Sequence, residues 1–367
     1  MKSVKTAVIG CGAISDIYLQ NMTGKFSSLE IVACCATHKE NAEKKAAQYG
    51  IRAASTDEIL EDRDVELIVV LTPAPTHYEL VKRALLAGKH VYTEKPLATE
   101  LWQAQELLAL AEEKGLRLGA APETFMGSAI QTGRKVIDDG LLGQISSFHI
   151  VANRDLTVLA SFFKFLRLPG GGIGYDYGVY YLTALVSLLG PMEKVYAQVG
   201  NLQPVRKNVI PSSPEFGQDY AYDNEAQINA VLTAKSGVVG TFSLNGDSAM
   251  QDQAYFTIQG TKGILRLGDA NQFGGEVCFL PNDPREAKWQ VMEPVSALSD
   301  NCRGVGPANM AACIREGGRH LASGETARHV LDIVEQMIKS GETGLPVDIH
   351  TSCERPAPFD NWKDLLK

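Results

Sequence analysis

The segment KTAVIGCGAIS (residues 5–15) joins a short apolar run to the beginning of a helical pattern through two glycines. Its small and β-branched residues are typical of a buried strand, whereas Gly10 and Gly12 remove side chains from the turn. A helix that starts directly after such a turn presents its free N-terminal amides there, and those amides bind anions such as a pyrophosphate. The segment therefore predicts a strand, a tight turn and a helix that together hold a dinucleotide. The expected contacts are Gly10, Gly12, Ala13 and Ile14.

Four further apolar runs, each followed by a helical pattern, extend this arrangement as far as residue 122. The predicted strands are residues 29–36, 66–72, 90–96 and 116–121. Strands that are apolar along their whole length and alternate with helices form a parallel sheet covered on both faces. Residues 1–122 therefore predict an α/β domain with a doubly wound parallel sheet. Within it, STDE (residues 55–58) predicts the capping box of a short helix.

The end of the second predicted strand reads Ala36-Thr37-His38-Lys39 and carries no acidic side chain. Dinucleotide sites that prefer NAD place an Asp or Glu here, where it binds the ribose 2′-hydroxyl. Without that carboxylate, and with Thr37 and His38 available for contacts, the site tolerates a 2′-phosphate. The sequence thus favours NADP as the cofactor, and NAD remains the alternative.

The remainder of the chain, residues 123–367, has a different pattern. Short runs of alternating polar and apolar residues predict an α+β domain with a large, mostly antiparallel sheet. The predicted strands are residues 145–153, 194–200, 227–234, 238–245, 255–259, 264–267, 277–280 and 289–292. The predicted helices are residues 130–140, 307–322 and 326–339. Residues 203–223 contain three prolines and predict a long surface loop.

Charge and cysteine content argue against several classes of function. The net charge of −8 disfavours a general binder of nucleic acid or of an anionic membrane surface. The seven cysteines form no C-x-x-C pair, and the cysteines and histidines lack the spacing of a metal site. No apolar run is long enough to cross a membrane or to act as a secretion signal. We therefore expect a soluble, cytoplasmic protein without a bound metal.

A second region of interest is LPGGGIGYDYGVYYLTAL (residues 168–185), in which a glycine-rich loop leads into a helical pattern. Asp176 and Tyr180 are four residues apart and so share one face of the predicted helix. We expect the glycines to let the loop pass close to a ligand, because they allow unusual backbone angles and carry no side chains. The alternative is that the tyrosines pack in the core and that Asp176 only stabilises the first helical turn.

Three segments together resemble the glucose–fructose oxidoreductase and inositol dehydrogenase family, often called Gfo/Idh/MocA. They are the first glycine turn, GKHVYTEKPLA (residues 88–98) and GGGIGYDYGVYYLTALVSLLGP (residues 170–191). The resemblance covers nearly the whole chain and implies an N-terminal Rossmann domain followed by a C-terminal domain built on a large sheet. It also implies an NAD(P)-dependent dehydrogenase or reductase acting on a sugar, cyclitol or vicinal diol. Such proteins commonly form homodimers or homotetramers, and we expect assembly through the C-terminal sheet.

The resemblance also implies roles for individual residues. The lysine of the family's E-K-P motif falls on Lys95, with Glu94 beside it on the cofactor side, and the substrate-side aspartate falls on Asp176. A histidine that is frequent in the family is replaced here by Tyr180. In this respect the chain resembles a subgroup that includes the dihydrodiol dehydrogenases.

A further segment, TPAPTH (residues 72–77), is similar to a family motif that lines the cofactor. The residues carried over are Thr72, Pro73 and His77, whereas Ala74 replaces the usual asparagine. Tryptophans that are common in relatives just before the glycine loop are missing from residues 155–169. The resemblance therefore does not identify the substrate.

Hydride transfer to or from a hydroxyl-bearing carbon needs a group that exchanges the hydroxyl proton. A tyrosine does this when neighbouring positive charge stabilises its phenolate. We therefore expect Tyr180 to transfer the proton and Lys95 to polarise the substrate oxygen. Asp176 would bind a substrate hydroxyl or orient Lys95. The reverse assignment, with Lys95 as the proton-transfer group, remains an alternative.

Two other functions are compatible with the same motifs. One is a glycosidase that retains its nicotinamide and cleaves by transient oxidation and elimination, a chemistry found within the family. The other is a regulatory protein that senses the cofactor without catalysis. The presence of Lys95, Asp176 and Tyr180 argues against the regulatory protein.

Overall fold

The computed structural model describes residues 2–250 and 253–367. These residues form two compact units. The first comprises the chain up to Met126 together with Asn301–Arg328 and Phe359–Lys367. The second comprises Gly127–Asp300 and His329–Pro358.

The first unit is built on six parallel strands. They are β1 (Val4–Ile9), β2 (Leu29–Cys35), β3 (Arg52–Ala53), β4 (Leu67–Val70), β5 (His90–Thr93) and β6 (Leu118–Ala120). Their order in the sheet is β3-β2-β1-β4-β5-β6, with every neighbouring pair parallel. In such a sheet ligands bind where the strand order reverses, at the carboxyl ends of β1 and β4. The predicted doubly wound parallel sheet is confirmed.

Five helices follow the strands of this unit in turn. They are α1 (Ser15–Gly24), α2 (Lys39–Tyr49), α3 (Thr56–Glu61), α4 (His77–Leu86) and α5 (Leu101–Glu113). The predicted capping box opens α3. The Ser55 hydroxyl accepts the Glu58 N–H at 3.2 Å, and the Glu58 carboxylate accepts the Ser55 N–H at 2.7 Å.

The second unit is built on a nine-stranded sheet. Its strands are β7 (Ile145–Asn153), β8 (Met192–Gly200), β11 (Gln227–Ala234), β12 (Val239–Asn245), β13 (Gln253–Gly260), β14 (Gly263–Leu267), β15 (Cys278–Pro281), β16 (Gln290–Val291) and β17 (Val347–Asp348). They are ordered β16-β15-β14-β13-β7-β12-β11-β8-β17. The pairing of β7 with β12 is parallel and the other pairings are antiparallel. The predicted large, mostly antiparallel sheet is confirmed.

Helices cover one face of this sheet. They include α6 (Ser128–Asp138) and α8 (Val179–Leu189), and α8 is buried along almost its whole length. Close packing depends on small residues, because a Cβ on Gly178 would lie 2.8 Å from the Leu244 side chain. The alternating burial of β7, β11 and β12 reflects this one-sided cover.

The opposite face of the sheet carries exposed apolar side chains. Strand registers place Tyr196, Val231, Val151 and Tyr255 on that face, with 42%, 43%, 38% and 51% of their surfaces exposed. Exposed apolar patches of this kind mark surfaces that take part in interactions.

The predicted loop at residues 203–223 contains a hairpin, which is a difference from the sequence expectation. Its strands are β9 (Val205–Lys207) and β10 (Asp219–Ala221). The hairpin is anchored by Arg206, which is fully buried and forms an ion pair with Asp247 at 2.8 Å. Strands of three residues are too short to produce a recognisable period.

A short helix, α7 (Leu156–Phe162), is also absent from the sequence expectation. The Asp155 carboxylate accepts the N–H of Val158 at 3.0 Å and so caps its first turn. Its residues include β-branched and aromatic side chains, which favour a strand over a helix. Capping and tertiary packing outweigh that local preference.

Two helices lie between β16 and β17 in the chain, and a further segment follows β17. The helices are α9 (Val305–Glu316) and α10 (Gly324–Thr343). The sequence expectation places all residues after 122 in the second domain, whereas residues 301–328 and 359–367 pack with the first unit. Asn21 donates to the carbonyls of Asn301 and Arg303, at 2.8 Å each. Near the end of the chain, the Leu365 carbonyl accepts the Ser27 N–H at 2.8 Å.

Candidate active site

The turn after β1, here called the nucleotide turn (residues 10–12), depends on Gly10. Its φ of +111° is open to glycine and strained for other residues. A Cβ at this position would also lie 2.7 Å from the carbonyl carbon of Leu71. The Gly10 N–H donates to the Cys35 carbonyl at 2.9 Å, which ties the turn to the end of β2. The backbone angle and the packing against Leu71 thus require a glycine at position 10, independently of any ligand.

Gly12, Ala13 and Ile14 form an open surface at the start of α1. Gly12 and Ala13 are exposed, and a Cβ on Gly12 would meet no protein atom within 4 Å. The N-cap residue Ile14 supplies no side-chain hydrogen bond to the first amides of α1. Ser15 replaces the third glycine of the motif; it is buried and donates to the Gly12 carbonyl at 2.6 Å. Bare backbone beside uncapped amides fits the pyrophosphate of a dinucleotide.

Thr37 and His38 lie at the carboxyl end of β2, and both are exposed. Lys39 follows them and forms a solvent-exposed ion pair with Glu43 at 3.3 Å. The position at which an NAD site carries a carboxylate therefore presents neutral and basic side chains.

His77 is fully buried at the start of α4. Its Nδ1 lies 2.7 Å from the Pro96 carbonyl oxygen and its Nε2 lies 2.7 Å from the Thr72 carbonyl oxygen. Burial lowers the pKa of His77, which opposes the doubly protonated ring that two simultaneous donations require. The neutral imidazole therefore donates to one of these two carbonyls, and it packs between the loop after β4 and the loop that carries Lys95. Pro73, next to this link, is exposed.

Glu94 and Lys95 follow β5 directly. The Glu94 carboxylate is buried, with Oε1 accepting the Tyr18 hydroxyl at 2.8 Å and Oε2 accepting the Lys95 N–H at 3.1 Å. A carboxylate held from both sides fixes the backbone from which the Lys95 side chain extends. A direct contact of Glu94 with a cofactor stays a prediction.

A second buried acid, Glu123, extends this group. Its carboxylate accepts the Tyr92 hydroxyl at 2.8 Å and the Gly304 N–H at 2.8 Å, and its Oε2 lies 3.1 Å from the Tyr18 hydroxyl oxygen. Burial raises the pKa of the Glu123 carboxyl, and the neighbouring charge of Glu94 raises it further. Sequence analysis missed Glu123, because a single acid after an apolar strand belongs to no motif.

In the second unit, the signature loop (residues 168–174) leads into a π-helical segment, Gly174–Gly178, which continues as α8. Asp176 therefore lies in a wider turn than the α-helical turn that the spacing predicts, since π-helical bonds join residues five apart. Asp176 and Tyr180 are both largely buried, with 7% and 8% of their surfaces exposed. Short π segments are frequent at functional sites.

Asp176 is held by Arg154, which follows β7. The Asp176 carboxylate accepts a hydrogen bond from Arg154 Nη1 at 3.2 Å, and little of either side chain is exposed. The Arg154 guanidinium also lies 3.9 Å from the centre of the Tyr177 ring. Sequence analysis missed Arg154, because one basic residue after a strand has no recognisable spacing to Asp176.

Two other tyrosines of the signature helix have packing roles. The hydroxyls of Tyr177 and Tyr181 are 2.8 Å apart, and Tyr181 donates to Asp269 at 2.5 Å. Both residues are fully buried, and burial raises the pKa of Tyr181. The packing interpretation of the tyrosines therefore holds for Tyr177 and Tyr181.

The glycines of the signature loop differ from the expectation. Only Gly170 has a positive φ, of +81°. A Cβ on Gly171 would lie 2.6 Å from Leu166 Cα, and one on Gly172 would overlap the Glu225 carboxylate. A Cβ on Gly174 would lie 2.9 Å from the Ile228 side chain. The last three glycines are therefore explained by close packing within this unit rather than by unusual backbone angles.

Across residues 2–250 and 253–367, no group of three or more His, Cys, Asp or Glu side chains is placed to hold a metal ion. Within the same ranges, none of the helices combines the length and apolarity needed to span a bilayer.

Comparisons with known proteins agree with this architecture. Residues 4–121 match the model of the oxidoreductase family with an NAD-binding Rossmann fold, and residues 130–266 match the GFO/IDH/MocA C-terminal domain. A Schizosaccharomyces pombe protein named only as an uncharacterized oxidoreductase is 31% identical over 301 residues, which is 77% of this chain and 76% of that protein.

Two more relatives have names that specify a reaction. The trans-1,2-dihydrobenzene-1,2-diol dehydrogenase of Oryctolagus cuniculus is 26% identical over 336 residues, covering 88% of this chain and 94% of the rabbit protein. The solved structure of a levoglucosan dehydrogenase in complex with NADH superposes with a TM-score of 0.82 at 18% identity, covering 95% of this chain and 100% of the other. The structural match supports the fold. Taken with the two family models and the yeast relative, these findings show that the chain belongs to the Gfo/Idh/MocA family of NAD(P)-binding oxidoreductases.

Proposed function

We propose that this protein is a dehydrogenase or reductase that acts on a hydroxyl-bearing or carbonyl carbon of a sugar, cyclitol or vicinal diol. A bound nicotinamide would supply the hydride acceptor or donor. The nucleotide turn supports binding of that cofactor, because Gly12 and the uncapped amides of α1 leave room and donors for a pyrophosphate. The names of the rabbit and levoglucosan relatives support the substrate classes.

The proposed roles assign the proton to Tyr180, polarisation of the substrate oxygen to Lys95, and binding of a substrate hydroxyl to Asp176. The observation that carries this assignment is the ion pair between Asp176 and Arg154 on the signature helix. A buried carboxylate in such a pair has a fixed orientation, which suits recognition of a hydroxyl donor. Tyr177 and Tyr181 have packing roles, and Tyr180 is assigned the proton because it follows Asp176 by four residues on the same segment.

The direct test is absorbance of the reduced nicotinamide with NAD or NADP and a panel of levoglucosan, myo-inositol and trans-cyclohexane-1,2-diol. Net reduction of free cofactor supports the proposed function. In the protein that shows turnover, Tyr180→Phe and Lys95→Ala should each lower kcat by about 10²–10⁴-fold, since each removes a group that handles the transferred proton. Cofactor Kd should stay close to wild type.

Tyr181→Phe is the matched control, because it makes the same chemical change one residue later on the helix. It should reduce stability through loss of the Asp269 bond while keeping kcat within a few fold. Full activity in Tyr180→Phe would mean that Lys95, and not Tyr180, is the proton-transfer group. Glycoside cleavage without net cofactor reduction would identify the redox-elimination glycosidase, and binding without any turnover would identify a regulatory protein.

We further propose that the cofactor is NADP rather than NAD, since neutral and basic side chains follow β2. Titration of the protein with NADP and with NAD, followed by fluorescence of the reduced forms, should give the lower Kd for the phosphorylated cofactor. A Kd for NAD more than about tenfold lower would contradict the proposal.

We propose that the exposed sheet face pairs with a second copy of the chain. Val231 and Tyr255 lie on that face, and their burial in a homodimer or homotetramer would remove apolar surface from water. The double substitution Val231→Lys with Tyr255→Lys should reduce the mass measured by light scattering to that of one chain. Leu345→Lys, an exposed apolar residue outside this face, is the control. An unchanged oligomer in the double variant would exclude this face.

A further inference from the structure

One short stretch of the chain, here called the bracing segment (residues 222–225), holds the signature loop. It connects β10 to β11. The Tyr222 hydroxyl donates to the Gly171 carbonyl at 3.1 Å. The Asn224 side-chain amide donates to the carbonyls of Leu166 at 3.0 Å and Leu168 at 2.9 Å. Side chains from one segment thus satisfy three carbonyls between residues 166 and 171.

Glu225 completes this arrangement on the amides of the helix that follows. Its carbonyl accepts the Ile173 N–H at 3.0 Å, and its carboxylate accepts the Gly174 N–H at 2.9 Å and also bonds the Tyr175 N–H. The first amides of a helix have no partner within the helix, and the N-cap residue Ile173 supplies no side-chain cap. Glu225 therefore caps the signature helix from a different part of the chain.

The approach of this carboxylate depends on the two glycines beside it. A Cβ on Gly172 would overlap the Glu225 carboxylate, and a Cβ on Gly174 would lie 3.1 Å from Glu225 Oε1. The remaining space around Gly174 is filled by the aliphatic side chains of Ile228 and Val334. The carboxylate is therefore confined beside the helix amides, where it bonds the N–H groups of Gly174 and Tyr175 as well as its own.

We propose that Glu225 is a positioning residue, which sets the geometry of Asp176 by capping the π-helical turn that carries it. This inference rests on the proposed function, in which Asp176 and Tyr180 act on the substrate. The cap bonds Gly174 and Tyr175, which immediately precede Asp176. Loss of the cap therefore frees the backbone at the first turn, and displacement of a reacting group by about 1 Å can cost about a hundredfold in rate.

The strength of this cap depends on whether the Glu225 carboxyl group is protonated. Burial raises the pKa of Glu225 to about 7. Its neighbour Tyr222 interacts electrostatically with Glu225 itself, with Asp176 on the signature helix, with Arg206 of β9 and with Tyr220 of β10, so these are the titratable and charged groups of this region. Above this pKa both carboxylate oxygens accept, whereas below it one oxygen becomes a hydroxyl and the cap loses an acceptor. Activity should therefore fall as pH falls through about 7.

The test compares Glu225→Gln, Glu225→Asp and Glu225→Ala with wild type in the turnover assay, at about pH 6 and about pH 8. Glu225→Ala should lower kcat about ten- to hundredfold at the higher pH with cofactor Kd unchanged. Glu225→Gln should show wild-type kcat at the lower pH and lose the rise toward the higher pH. Glu225→Asp keeps a charge and should restore part of that rise.

Glu193→Gln is the matched control, because Glu193 is an exposed carboxylate on β8 in the same unit. It should reproduce the wild-type profile. Wild-type kcat in Glu225→Gln at both pH values would overturn the proposal. An equal loss in the Asp, Gln and Ala variants that follows their melting temperatures would overturn it too, because that is the mark of a merely structural residue.

Failure of the proposed function gives a different pattern. If Tyr180→Phe is fully active, the proton assignment fails while the pH profile of Glu225→Gln still reports on the cap. If Tyr180→Phe is inactive and Glu225→Gln is unchanged, the proposed function stands and the inference about Glu225 is wrong.

Discussion

The nucleotide turn and the signature loop are both glycine-rich, yet Gly12 of the first and the inner glycines of the second have opposite surroundings. At Gly12 a side chain would meet no protein atom, whereas at Gly171 and Gly172 it would collide with Leu166 and with the Glu225 carboxylate. The position that a side chain would take is open at Gly12, whereas at Gly171 and Gly172 other protein atoms occupy it. A glycine motif near a candidate site therefore has two physical explanations, and only the surroundings of each glycine distinguish them.

Gly10 resembles the glycines of the signature loop, because the protein leaves no room for a side chain there, even though Gly10 lies in the nucleotide turn. Gly10→Ala should lower the free energy of unfolding by about 2–6 kcal/mol, because it combines a positive φ with a collision against the Leu71 carbonyl. Denaturant unfolding monitored by circular dichroism measures this change. A loss below about 1 kcal/mol would show that the turn adapts and would weaken the distinction between the two explanations.

The Glu225 carboxylate, which packs against Gly172 of the signature loop, should make the free energy of unfolding depend on pH. Its pKa is about 7 in the folded protein and near 4.5 when unfolded, so the folded state binds the proton more tightly. Relative to Glu225→Gln, wild type should lose about 3 kcal/mol of unfolding free energy as pH rises from about 4.5 to above 7. Unfolding curves at several pH values measure the difference. A constant difference across this range would contradict the assigned burial of Glu225.

Gly172→Ala should destabilise the protein by about 1–3 kcal/mol, since its methyl group displaces the carboxylate from the helix amides. The displaced atoms end a flexible side chain, so the cost is smaller than at Gly10. In a Glu225→Ala background the same substitution should cost much less, because the collision is gone. A double-mutant cycle with no coupling would show that the two residues do not meet.

Gly12→Ala should have the smallest effect on stability, within about 0.5 kcal/mol, because the new methyl group meets only solvent. Its effect should appear in cofactor binding, where Kd should rise about tenfold or more as the methyl group obstructs the pyrophosphate. Titration with NADP tests this, with Gly24→Ala as the control, because a Cβ on Gly24 at the other end of α1 also meets no protein atom within 4 Å. An unchanged Kd would mean that no ligand approaches Gly12.

Much of the fold follows from the sequence, because continuous apolar strands and alternating strands are distinct patterns. The parallel sheet of the first unit and strands such as β7 and β11 are confirmed at or near their predicted bounds. The hairpin of β9 and β10 and the helix α7 are not predicted, since their stability comes from Arg206, Asp155 and other tertiary contacts rather than from local preference.

The residues of the candidate site also divide into those that the sequence predicts and those that it does not. Motif residues such as Gly10, Lys95 and Asp176 are found from spacing and resemblance. The residues that support them, Glu123, Arg154 and Glu225, come from distant parts of the chain and lack a fixed spacing to any motif. A sequence pattern records neighbours along the chain, whereas a buried carboxylate is identified by the donors that surround it in space.

The first unit is assembled from three stretches of chain, and this has a consequence during synthesis on the ribosome. The bridge between Phe26 and Leu366 and the bond from the Lys367 N–H to the Lys25 carbonyl join the segment after α1 to residues made more than 300 positions later. During synthesis Phe26 therefore lacks these partners until residues 359–367 have left the ribosome. A nascent chain stalled before residue 359 should therefore recruit holding chaperones that the folded chain no longer binds.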